Sequence, residues 1–234
     1  MEPLRRGTMR PKTFESAGDL SASAADLILS FLRAEGSEEI ALMLAGGITP
    51  LAAYDRVAKS GLRAPDRLYF FLSDERMVPP ESSQSNHRSL LPLLQSLSVP
   101  DERIFRIGSQ NPIEEAAHLF HLQLKEFLEE GGAIPLGFLG LGADGHTASL
   151  FSPDDVKRGE GRYAIAVSRP SGPDRVSVTP ELLHQVDRIV FLVTGDDKRE
   201  ALDLLLNEPE SLPAGWAVRD HAHVEVWFPS RLVS

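Results

Sequence analysis

Cysteine is absent from this chain. That excludes a disulfide framework, a thiolate metal site and a thiol nucleophile, so any nucleophile must be oxygen or nitrogen. Long apolar runs are missing too: no window approaches the roughly 18 to 20 uninterrupted apolar residues of a membrane span, and no apolar signal core follows Arg5 and Arg6. The expectation is a cytoplasmic protein with no membrane contact. Positive charge is in deficit, 24 Lys and Arg against 34 Asp and Glu for a net charge of −10. This argues against a nucleic-acid surface, which needs clustered cations, so no nucleic-acid partner is expected. An anionic small molecule would have to bind in a local positive pocket against the global field. Repeats, heptads and low-complexity tracts are also lacking.

What is present is an alternation of strand and helix patterns along 234 residues, enough for one large α/β domain. Residues 1–11 read as a loose lead-in and 12–234 as that domain. Helical spacing marks 20–33, 88–97 and 112–130, the last with Ala116, Leu119, Phe120, Leu124 and Phe127 inward. Buried strands are expected at 40–44, 67–72, 104–107, 135–139, 163–167 and 188–193, and a half-exposed one at 175–179 from the alternation of Val176 and Val178 with Ser177 and Thr179. A final strand falls within 221–228. Residues 73–80 and 152–161 read as charged loops. Such alternation implies a mostly parallel sheet covered on both faces.

Chemistry concentrates where strands end. Gly46 and Gly47 follow the strand 40–44 and precede a helix with Thr49 as N-cap and Pro50 as first residue. That exposes N–H groups at the positive end of a helix, where a phosphate binds, although a plain βα turn has the same pattern. Asp74, Glu75 and Arg76 follow another strand, at the end where ligands bind in open α/β sheets. Asn86 is either a helix cap or a substrate contact. Arg175 opens a strand as an ion-pairing residue or an anion ligand. Lys198 sits in a helix's first turn, where the dipole disfavours a cation, so Asp196, Asp197 or a bound anion should be nearby. The densest stretch is 140–151, GLGADGHTASLF, in which three glycines allow a tight turn carrying Asp144 and His146 before a short helix expected from Thr147. The pairs His118/His121 and His221/His223 have no evident third ligand, so no metal site is assigned.

In order and spacing, LAGGITP at 44–50, SDERMVP at 73–79 with Ser85 and Asn86, GLGADGHTASLF at 140–151, RVSVT at 175–179 and GDDK at 195–198 resemble the 6-phosphogluconolactonases. The resemblance covers nearly the whole chain. It implies a modified Rossmann-like three-layer sandwich, shared with glucosamine-6-phosphate deaminases and related sugar-phosphate isomerases. It also implies hydrolysis of 6-phosphoglucono-1,5-lactone in the oxidative pentose phosphate pathway, with a small phosphosugar lactone as ligand, no metal or redox cofactor, and a monomer or weak homo-oligomer. His146 would then be the general base, kept neutral by the helix start. Asp144 would orient it or hold the glycine loop, the loop role being favoured because side chains at i and i+2 need an unusual turn to meet. Asp74 would contact sugar hydroxyls. Arg76, Arg175, Lys198 and the N–H groups of residues 46–49 would hold the phosphate.

Two positions depart from the family's pattern. Ile48 stands where a small polar residue is common, and Ser152 interrupts the usual Phe-Pro ending. The deaminase relatives place a Glu seven residues after the Asp of the Asp-Gly-His motif, and here that position is Phe151. An isomerase or deaminase would thus lack a proton relay, which favours simple hydrolysis; a non-catalytic sugar-phosphate sensor is the other alternative.

Overall fold

The computed structural model describes residues 9–233. The first half of the chain runs β1 (Arg10–Phe14), α1 (Ala17–Arg33), β2 (Ile40–Leu44), α2 (Ile48–Ala58), β3 (Leu68–Leu72), β4 (Asp74–Arg76), α3 (Asn86–Ser96), β5 (Ile104–Phe105) and α4 (Ile113–Glu129). The second runs β6 (Ala133–Leu139), α5 (Pro153–Arg158), β7 (Ala164–Val167), β8 (Arg175–Val178), α6 (Pro180–Leu183), β9 (Ile189–Leu192), α7 (Arg199–Asn207), α8 (Pro213–Ala217) and β10 (Val224–Pro229). One parallel sheet takes the order β1-β10-β9-β6-β2-β3-β5, and β4, β8 and β7 form a smaller antiparallel sheet.

The central strands are apolar at every position because helices cover both faces; all of β2 and β9 is buried. Alternate residues of β2 serve opposite cores. Leu42 and Leu44 meet Leu20 and Ile28 of α1, Tyr54 of α2 and Leu90 of α3. Met43 points the other way, toward Phe120 and Leu124 of α4 and Val176 of the small sheet. Helix α1 buries Leu20, Ala24, Ile28 and Leu32 at a stride of four, and Ser16 caps it by accepting from the Asp19 N–H. Burial of each such Leu or Ile is worth about 1.5–3 kcal/mol.

From β2 the chain moves outward to β3 and β5, then returns to the other side of β2 as β6 and continues outward to β9. The strand order therefore reverses between β2 and β6. Their carboxyl ends flank the crevice in which open α/β sheets bind ligands.

Several elements differ from the sequence expectation. β1 begins at Arg10 and pairs from there with β10, so the lead-in is shorter than 1–11; residues 1–8 of it lie outside the described residues. Pro11 is tolerated because β1 is an edge strand. The charged run Asp74–Arg76 is a strand rather than a loop, held by pairing with β8. β8 is not half-exposed: Ser177 and Thr179 are fully buried, since the small sheet is itself packed against the main core. No helix starts at Thr147, where the backbone instead makes a tight turn closed by a bridge to Leu150. The helix of this region is α5, inside the expected 152–161 loop, where Ser152 caps it by accepting from the Asp155 N–H. On α4, Leu119 is exposed, because it falls about one position, roughly 100° of helical turn, off the buried stripe.

Candidate active site

Loops leaving the carboxyl ends of β2, β3, β6 and β9 surround one cleft of about 650 Å³, within the range of small-molecule sites. The ten residues singled out from the sequence all line it. Gly46, Gly47 and Thr49 follow β2; Asp74, Arg76 and Asn86 follow β3; Asp144 and His146 follow β6; Arg175 lies on β8 and Lys198 follows β9.

The β2 loop is shaped by two different glycine requirements. Gly47 has φ +97°, a conformation L side chains rarely adopt, and it rather than Thr49 is the N-cap of α2. A Cβ on Gly46 would collide with the Asn86 carboxamide. Thr49 lies inside the first turn of α2, and its hydroxyl bonds that of Thr194 beyond β9, which ties the two loops together. Behind them the buried Tyr54 hydroxyl donates to the Ala45 carbonyl at 3.0 Å. The Ile48 side chain projects into solvent at the cleft's edge.

Asn86 is not the cap of α3; Ser85 is, accepting from the Arg88 N–H. The Asn86 side chain donates to the Asp74 carbonyl at 2.9 Å. Glu75 makes no ion pair with Arg76. Its buried carboxylate accepts from the Ser85 hydroxyl and from the N–H groups of Arg76, Asn86 and His87, so it anchors the positive end of α3. Asp74 is buried and accepts from the Ser149 hydroxyl at 2.7 Å, while the Ser149 N–H donates to Ser177 Oγ at 3.0 Å. This chain of bonds joins the β3 loop, the glycine loop and the small sheet.

In the glycine loop, Gly142 N–H donates to the His146 carbonyl at 2.8 Å, and Gly145 turns back at φ +80°. That turn brings His146 Nδ1 onto Asp144 Oδ1, so the side chains two residues apart do meet, and the same oxygen also accepts from the His146 backbone N–H at 3.4 Å, the loop contact expected of Asp144. Room for the contact comes from Gly142, whose Cβ would fall on both groups. Partial burial pushes the Asp144 carboxyl up, but the hydrogen bond and charge of His146 outweigh it and hold the group below its ordinary range. No helix begins here, so no helix dipole acts on His146; the side chain its ring contacts is Asp144. The loop is braced by Leu212 packed over Gly145 and by the Ala214 N–H donating to the Gly145 carbonyl. Ala148 adopts φ +47°, a strain of about 1–3 kcal/mol of the kind that persists at functional sites.

In the same cleft, β4 and β8 of the small sheet present the guanidinium groups of Arg76 and Arg175. Arg76 and Arg175 are direct partners in the β4–β8 register. Burial, then repulsion from Arg76, draws the Arg175 pKa down, with Arg169 adding to the repulsion. Arg169 was not picked out from the sequence, because it sits in a Pro-Ser-Gly-Pro turn that carries no motif. It lines the cleft all the same, over the Phe151 ring. Among the described residues, the Nε atoms of Arg76 and Arg169 are buried without a hydrogen-bond partner, at a cost of about 1–3 kcal/mol each. Lys198 ends the turn before α7, and its ammonium lies 3.2 Å from Asp197, which accounts for a cation at that helix start.

His121 Nδ1 accepts from the Tyr163 N–H, His221 Nδ1 accepts from the His223 N–H, and no group of three His, Asp or Glu among the described residues is placed to hold a metal. No helix among them is long and apolar enough to cross a membrane.

A parallel sheet with its cleft at the switch point, lined by a His–Asp pair and clustered guanidiniums, defines an α/β enzyme of the doubly wound class. Residues 15–227 match the family described as glucosamine-6-phosphate isomerases/6-phosphogluconolactonase, and the chain belongs to it. Curated relatives include the 6-phosphogluconolactonase of Haemophilus influenzae, 38% identical over 74% of this chain and 76% of that one, and the human 6-phosphogluconolactonase, 31% identical over 92% and 88%. The crystal structure of 6-phosphogluconolactonase from Thermotoga maritima superposes with a TM-score of 0.76 at 29% identity, covering 95% of this chain and 98% of that one.

Proposed function

We propose that this protein hydrolyses 6-phosphoglucono-1,5-lactone to 6-phosphogluconate. The observation that carries the proposal is the His146–Asp144 pair, set at the switch point in the same cleft as the guanidinium groups of Arg76 and Arg175. With Nδ1 engaged by Asp144, the His146 Nε2 is the atom left to act on water. Nε2 takes a proton as the water oxygen attacks the lactone carbonyl carbon, giving a tetrahedral oxyanion. Collapse breaks the bond to the ring oxygen, and the imidazolium returns its proton to that oxygen, so the base is regenerated. Such proton transfer is worth about 10²–10⁴-fold. Asp144 stabilises the imidazolium while it exists.

The phosphate is held by Arg76, Arg175 and Lys198, with the N–H groups of Ile48 and Thr49 at the start of α2. Asp74 contacts sugar hydroxyls from beside Ser149. Phe151, apolar where deaminase chemistry uses a carboxylate, supports hydrolysis over ring opening.

The test is hydrolysis of freshly generated lactone, corrected for the spontaneous rate, beside unphosphorylated gluconolactone. His146→Ala is expected to abolish most of kcat while phosphosugar binding survives. Near wild-type turnover would overturn the assignment of the base. Ammonia release from glucosamine 6-phosphate would point instead to a deaminase, and calorimetric binding without turnover to a sensor.

A further inference from the structure

The Arg169 guanidinium carbon lies 3.7 Å above the centre of the Phe151 ring, and that ring's centre is 4.5 Å from the centre of the His146 imidazole, the two ring planes tilted by 40°. Arg169, Phe151 and His146 thus form a continuous row of contacts ending on the proposed base. Phe151 and Arg169 are each fastened by their own backbone. The Phe151 N–H donates to Asp155 at the start of α5, and the Arg169 N–H donates to Asp174 Oδ1 at 2.9 Å. The Asp174 carbonyl in turn accepts from the Met77 N–H, so the turn carrying Arg169 is pinned to the end of β4. Asp144 meets the His146 ring at Nδ1, and Phe151 lies against the ring beside that contact. The row of contacts also explains how the Arg169 Nε is buried without a hydrogen bond, since an aromatic face attracts a guanidinium electrostatically while excluding water.

We propose that Arg169 and Phe151 are positioning residues: Arg169 holds the Phe151 ring, and the ring sets the plane of the His146 imidazole so that Nε2 faces the substrate. The proposal rests on His146 acting as the base. In it Arg169 works through Phe151, which sets it apart from a residue that simply binds the anion.

The test is a double-mutant cycle with Phe151→Leu and Arg169→Met, read by lactone kinetics and by NMR titration of the His146 imidazole protons. Each single variant is expected to lower kcat about tenfold, the loss a sub-ångström misplacement produces, with KM little changed. The double variant is expected to fall no further than the worse single one, because both remove the same support. Phe151→Tyr, which keeps the ring, should restore most of kcat. The His146 proton shifts should move in both single variants. Multiplying losses in the double variant would overturn the proposal, as would a raised KM with intact kcat in Arg169→Met or an unmoved His146 spectrum. Thermal unfolding of each variant identifies one that fails to fold, and the other single variant then decides. If the wild type does not turn over lactone, the functional reading fails, while the NMR arm still reports on the row of contacts.

Discussion

Gly142→Ala tests the geometry of the catalytic pair without touching either member. Gly142 has ordinary backbone dihedrals, so an alanine there strains nothing locally. Its Cβ, however, would lie within 3.0 Å of both His146 Nδ1 and Asp144 Oδ1. Both groups would have to retreat by roughly 1 Å to reach ordinary contact. Since a misplacement of about 1 Å costs around 10²-fold, kcat is expected to fall by about that factor, inside the range of general-base catalysis. KM should change little, because Arg76 and Arg175 stand on β4 and β8. Stability should change little too: Asp144 is 62% exposed and can swing into water, in contrast to an overpacked core, which costs about 1–3 kcal/mol. The assay is initial-rate lactone hydrolysis across substrate concentration, with a thermal melt of each protein. Wild-type kcat in a folded variant would refute the reasoning, because the contact would then be dispensable. A raised KM with unchanged kcat would place the loop's role in binding instead.

Arg76→Ala should act elsewhere in the cleft, raising KM about ten- to a hundredfold with kcat largely kept, as expected for one charge-assisted contact of about 1.5–3 kcal/mol. Substrate-saturation kinetics check this; an unchanged KM would remove Arg76 from the phosphate site. The Asp144 carboxyl is held below its ordinary range, so its stabilising contribution is present above the unfolded-state pKa and is lost as pH falls through the folded one. Wild type and Asp144→Asn should therefore differ in Tm near neutral pH and converge in acid, by a small amount given the exposure of Asp144. A gap that persists in acid would argue against this linkage.

The sequence alone was enough to determine the layered α/β architecture, because apolar runs of strand length alternating with amphipathic helices admit few other packings. The ten site residues it marked all line the cleft, since the loops after parallel strands gather at one edge and those loops carried the glycines, charges and the histidine. Its errors lay where local pattern was overruled by distant partners. Asp74–Arg76 reads as a loop until β8, about a hundred residues away in sequence, supplies its hydrogen bonds. Ser177 reads as solvent-facing until the small sheet buries it and Ser149 takes up its oxygen. Helix signals at Thr49 and Thr147 were off because a left-handed glycine and a bridged turn set the backbone there, and propensity does not register either.

Only the tertiary structure decided how the site residues relate. Asp144 touches His146 because Gly142 leaves space and Gly145 reverses the chain, and neither fact follows from a spacing of two. Arg169 enters the site because the turn before β8 folds its guanidinium over Phe151, a contact between residues eighteen apart in sequence with no periodicity to announce it. Residue types and their order are local properties that the sequence carries directly. Contact across loops is a property of closed packing, in which each side chain's place is set by whatever else has already filled the space.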